Sequence, residues 1–88
     1  MLVMTRGIND RIAEDTNFAK RVTDGLARFA RRDWGDVSEI DWVANDDHSD
    51  HVKDGERVIA SYEDTQGSDK FWIIRDEQAT TVLFPSEY

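Results

Sequence analysis

RRDWGDVSEIDW, residues 31–42, decides how the first half of the chain folds. Two arginines close a run of apolar periodicity. Gly35 then stands where a helix-ending residue with positive φ is expected. Ser38 opens a Ser-x-x-Asp pattern with Asp41, a start similar to a capping box, although Glu or Gln is the usual reciprocal partner. The stretch reads as stop, turn and restart. Trp34, inside the turn, is expected to fold back on the apolar stripe of the helix before it.

That preceding helix is expected from about Thr16 to Arg32. Phe18, Val22, Leu26 and Phe29 follow the i, i+4, i+8, i+11 spacing of one buried stripe. Asp15 or Thr16 caps its start, and Arg28, Arg31 and Arg32 crowd its last turn, where cations favour the helix dipole. Gly25 costs up to about 1 kcal/mol relative to Ala in a helix interior. Its place suggests the close approach of another element. Residues 1–15 admit two readings: Leu2 to Thr5 as a short strand, or residues 1–7 as a flexible arm. Ile8 to Ala13 suits a helical turn capped by Asn9 or Asp10.

Beyond the turn, Ile40, Val43 and Ala44 mark the expected inner side of a second helix, and Trp42 lies off that side. This helix is expected to break near Asn45, with a short third helix over about Asp46 to Lys53 ending at Gly55. The hydrophobic period then changes from 3.6 to 2. Arg57 to Glu63, Phe71 to Arg75 and Thr80 to Phe84 are β-branched and aromatic runs. Gln66 to Asp69 reads as a hairpin turn and Asp76 to Ala79 as a second tight turn. Pro85 ends the last strand and suits a sheet edge. The expected fold is α+β: a single domain, residues 1–88, with two to three N-terminal helices packed on a three-stranded antiparallel β-meander. Its middle strand is apolar on both faces, so one face takes the helices. The other needs a cover, either the N-terminal arm or a second subunit.

Composition bounds the function classes. The chain has 88 residues, 39% hydrophobic and 34% charged, which suits one soluble domain with one core. It holds no cysteine, so disulfides and thiolate metal sites are excluded and a reducing cytoplasm is the expected location. No run approaches a membrane span. Net charge is −8, with residues 16–32 basic and residues 33–54 strongly acidic. Such a surface repels nucleic acid, so direct nucleic-acid binding is not expected.

RGIND (6–10), RRDWGDVSEIDW (31–42), Asn45-Asp46, KFWII (70–74) and TTVLFPSEY (80–88) together resemble a family of small bacterial proteins often encoded on plasmids and other mobile elements. The resemblance runs from about Gly7 to the C-terminus. Members are sometimes labelled type I restriction-modification subunits or plasmid-related proteins, and the family has no established activity. The resemblance therefore implies a setting of mobile DNA and host defence. The chain departs from the family pattern at DHSDHVKD (47–54) and at RDEQA (75–79). A methyltransferase activity does not fit: the strands are consecutive, the chain is short, and no Gly-x-Gly follows a strand.

His48 and His51, at i, i+3 among Asp46, Asp47, Asp50 and Asp54, have a spacing that can present two imidazoles to a divalent metal. The segment lacks an apolar wall and a third histidine, so a solvated acidic face is the plainer reading and no metal or cofactor is expected. No serine sits in a Gly-x-Ser-x-Gly elbow, and an enzyme is not expected. The acidic strip is the stronger lead. Asp36, Glu39, Asp41, Asp46, Asp47 and Asp50, with Trp42 as a candidate anchor, form a candidate partner-binding surface. Carboxylates spaced along a helix copy coarsely the phosphate charge of DNA, one per about 1.7 Å of axis. The expectation is a non-catalytic inhibitor or modulator of a host nucleic-acid-targeting enzyme, of the anti-restriction or anti-CRISPR type, with a protein partner. The competing readings are acids that serve solubility only, or a homodimeric module built on the sheet face of Trp72 and Ile74.

Overall fold

The computed structural model describes residues 1–63 and 70–88. Strand β1 (Leu2–Met4) leads into helices α1 (Arg6–Glu14) and α2 (Thr16–Ala30), then α3 (Glu39–Ser49). A 3-10 turn at Val52–Asp54 precedes strands β2 (Val58–Tyr62), β3 (Phe71–Arg75) and β4 (Thr80–Leu83). The α+β class is as expected, and β2, β3 and β4 form the antiparallel meander. The expected Gln66 to Asp69 turn lies outside the described residues.

The sheet has a fourth strand, in the order β1-β4-β3-β2. The N-terminal segment is β1, paired in parallel with β4 through Leu2↔Thr80, Val3↔Thr81 and Met4↔Val82. It is neither an arm nor a cover for a sheet face. β4 is consequently an interior strand, and Pro85 stands beyond its pairing, at the start of a 3-10 turn. At the other turn, the Asp76 carboxylate accepts from the Gln78 and Ala79 N–H groups and closes the connection between β3 and β4.

Local caps explain the helix boundaries. Thr5 caps α1, rather than Asn9 or Asp10, and its hydroxyl accepts from Ile8 N. Asp15 caps α2 by accepting from Phe18 N at 3.1 Å. At the end of α2, Arg32 N donates to Phe29 O and Asp33 N to Arg28 O. This is a Schellman motif, and its left-handed residue is Arg32, at φ 62°, instead of Gly35. Gly35 also has positive φ, 77°, for a different reason: its backbone bridges to Ser61 of β2. Ser38 caps α3 by accepting from Asp41 N at 3.1 Å.

The core lies between α1, α2 and one face of the sheet. Ile8, Phe18, Val22 and Phe29 meet Val58, Ala60, Tyr62, Phe71, Ile73 and Val82. The Phe18 and Phe71 rings meet edge-on at 5.9 Å. Gly25 permits this approach, since a Cβ there would lie 2.8 Å from the tip of the Phe71 ring. Trp34 folds back as expected and packs edge-on against Phe29 at 5.2 Å.

α3 departs most from expectation. It runs through Asn45 without a break, and only the 3-10 turn follows it, closed by Gly55. Ile40 and Val43 face solvent, 82% and 65% exposed, while Trp42 and Asn45 face the fold. The inner side of α3 is fixed by polar bonds as much as by apolar burial.

The two left-handed glycines differ in their surroundings. A Cβ on Gly35 collides with the Ser61 carbonyl oxygen, whereas a Cβ on Gly55 meets nothing within 4 Å. Gly35→Ala should therefore cost at least about 2 kcal/mol, combining left-handed strain with overpacking. Gly55→Ala should cost only the strain, about 1 kcal/mol. Urea unfolding of both variants checks the difference, and equal losses would contradict the bridge.

Candidate functional site

The candidate surface is built by the joint of residues 31–38 and by α3, which lie along the outer edge of β2. An edge strand exposes every second pair of backbone N–H and C=O groups. Here those groups are occupied in turn. His48 Nδ1 donates to the Arg57 carbonyl at 3.0 Å. The Asn45 side chain donates to Ile59 O at 2.8 Å and accepts from Ile59 N at 3.3 Å, as a neighbouring strand would. Ser61 N donates to Trp34 O, and Ser61 O accepts from Asp36 N at 2.7 Å. Finally, Glu63 N donates to the Asp36 carboxylate at 2.8 Å.

This sealing assigns several acids of the strip. Asp36 holds the end of β2. Asp46 accepts from the Trp34 indole N–H at 2.9 Å and so ties α3 to the joint. Asp50 pairs with Arg32 at 2.6 Å, across the outside of the same junction. Asp33 grips Arg28 through both carboxylate oxygens, at 2.8 and 3.2 Å, and also accepts from Gly35 N. Tyr62 completes this cluster. Its hydroxyl donates to Asp33 O, its ring lies 5.0 Å from the Arg28 guanidinium, and burial pushes its phenol pKa up.

Glu39, Asp41 and Asp47 remain on the exposed side. The Glu39 and Asp41 carboxylates have no partner among the described residues, and Asp47 lies 3.9 Å from His51. Trp42 is partly buried against the core. The histidines do not converge: His48 faces the Arg57 carbonyl and Glu56, and His51 faces Asp54 and Asp47. Among the described residues, no group of three or more His, Asp or Glu side chains is arranged to hold a metal ion.

On the second sheet face, Ile74 is enclosed at 8% exposure and Trp72 is half-buried. Tyr88 packs edge-on against Trp72 at 5.7 Å, and the Arg57 guanidinium lies over the Tyr88 ring. The chain's own C-terminal residue thus supplies part of the missing cover. Between this face and α3 runs an open groove of about 430 Å³.

Sequence reasoning missed Glu87. Its carboxylate accepts from Thr5 Oγ1 at 2.6 Å, from Gly7 N at 3.0 Å and from Phe84 N at 2.9 Å. It joins the end of the chain to the start of α1, where helix N–H groups favour a negative charge. Among the described residues, no helix is long and apolar enough to cross a membrane.

The bonds to these carboxylates make the fold acid-sensitive. The Arg28 hydrogen bond holds the Asp33 pKa below the usual carboxylate range, and the Thr5 hydroxyl, then the Phe84 N–H, does the same for Glu87. A carboxyl lowered in the folded state stabilises it fully above the unfolded value, about 4. That stabilisation is lost as pH falls through the lowered folded value. Urea midpoints measured from neutral pH downward should therefore hold steady and then drop below about pH 4. Glu87→Gln should lower the neutral-pH midpoint and make the acid decline shallower; an unchanged profile would show that the tie adds nothing.

No protein family, curated protein or solved structure matched this chain when it was compared with each.

Proposed function

We propose that this chain is a non-catalytic binding protein that docks through the exposed face of α3 onto a basic protein surface. The observation that carries this reading is Ile40 and Val43. They stand one helical turn apart, at 82% and 65% exposure, on the most acidic part of the chain. Glu39, Asp41 and Asp47 border them. An apolar centre with a charged rim is the anatomy of a protein interface. The charge argues for an unlike partner, since pairing two copies of this face would bring like charges together.

The resemblance to mobile-element proteins favours a nucleic-acid-targeting defence enzyme as the partner, because such enzymes carry basic grooves. DNA mimicry is then partial. Asp36, Asp46 and Asp50 already have partners within the fold, so the carboxylate row offered outward is shorter than the sequence suggests. A non-catalytic role fits His48, whose Nδ1 is engaged in donating to the Arg57 backbone carbonyl. The absence of cysteine fits action in a reducing cytoplasm. A homodimeric module built on Trp72 and Ile74 draws less support, because Ile74 is already enclosed.

Affinity capture from a bacterial lysate tests the reading, with the wild type, Ile40→Asp, Val43→Asp and an Asp41→Asn/Asp47→Asn double variant as baits. A nucleic-acid-processing partner should be held by the wild type and lost from the two apolar variants. The double variant should retain it less well, and added salt should weaken it. Because these side chains are exposed, each variant should keep its stability within about 0.5 kcal/mol. Equal recovery by all four baits would sink the proposal.

A further inference from the structure

The groove beside α3 has a composition that points to a ligand group. Ile59, Ser61 and Trp72 line it from the sheet; Val37, Asp41 and Ala44 line it from the joint and helix. Strand alternation puts Ile59 and Ser61 on one side of β2, away from the core residues Ala60 and Tyr62, and Ser61 is paired with Trp72 of β3.

Ser61 is only 8% exposed, and its hydroxyl has no hydrogen-bond partner among the described residues. Buried hydroxyls in folded proteins are normally bonded. This one still meets the groove, for no buried side-chain polar atom among the described residues is left both sealed and unbonded. The Trp72 indole N–H also has no partner among the described residues, and neither has the Asp41 carboxylate. The cations on the lining are engaged elsewhere. Lys70 Nζ lies 3.6 Å from Glu63, and the Arg57 guanidinium lies over Tyr88. Of the two carboxylates on the lining, Asp36 already accepts the Glu63 N–H, and Asp41 is the one left open to a ligand among the described residues.

We infer that this groove receives an arginine side chain, stacked on Trp72 with its guanidinium turned to the Asp41 and Asp36 carboxylates and to the Ser61 hydroxyl. An apolar floor beside carboxylates suits a flat, weakly hydrated cation. A guanidinium stacks on an indole face and pairs with carboxylates through a planar fork, whereas an ammonium is a compact, strongly hydrated point charge. The groove adjoins the docking face, since Asp41 follows Ile40 and Ala44 stands one turn beyond it. The source of the arginine, a basic protein partner, rests on the docking reading above. The groove's selectivity does not, and can be measured without any partner.

The test is a titration of the full chain with N-acetyl-arginine amide, followed by amide and indole N–H chemical shifts. Saturable shifts at Trp72, Ser61 and Asp41 are expected. Asp41→Asn should weaken binding about tenfold, the scale of one charge-assisted hydrogen bond. Ser61→Ala should weaken it by a smaller factor, and N-acetyl-lysine amide should bind several-fold more weakly than the arginine probe. Ile40→Asp should leave the titration unchanged while abolishing capture of the partner, which separates failure of the groove from failure of the docking face. Asp41 is exposed and its carboxylate has no partner among the described residues, so Asp41→Asn is expected to fold. No saturable shift, shifts spread evenly over all acidic residues, or equal binding of lysine and arginine would each overturn the inference.

Discussion

The outer edge of β2 is the constraint on which the rest of this structure depends. A sheet edge carries donors and acceptors that bond to something, and an unpaired edge invites another chain. Here each outward position from Arg57 to Glu63 is met by a different device: an imidazole, a carboxamide, a stretch of backbone and a carboxylate. The devices come from α3 and from the joint before it. The position of α3 is thus set by hydrogen bonds to an edge, and apolar burial comes second. This accounts for a helix whose largest aliphatic residues point outward.

Much of the fold was legible in the sequence because it obeys hydrophobic period. The stripe of α2 predicts its own burial, and the three antiparallel strands are marked by the switch to period two. Ser38 and Asp15 announce their helices as caps. α3 departs from that period for a physical reason. Period counting takes Ile40, Val43 and Ala44 as the inner side, because it cannot weigh Asn45 bonded to a strand fourteen residues later. β1 was ambiguous because three residues carry little pattern and its parallel partner lies at the far end of the chain.

The candidate site was half legible. Acidity could be counted from sequence, but whether a carboxylate is free depends on neighbours distant along the chain. Trp34 reaches Asp46, and Arg32 reaches Asp50. The composition-based strip therefore mixes acids that hold the fold together with acids available to a partner. Separating them moves the centre of the proposed interface from Trp42 to Ile40 and Val43. The groove was not legible at all, since its lining comes from the joint, α3, β2 and β3 together.

The tie between Glu87 and Thr5 spans 82 positions. Closing so long a loop is costly in chain entropy, while α1 and α2 and the consecutive strands close much shorter ones. The helical pair and the β2-β3-β4 meander can therefore form locally, with β1 and the C-terminal turn joining afterwards. The Thr5–Glu87 tie is a latch between segments at opposite extremes of the sequence, closed over units that are local.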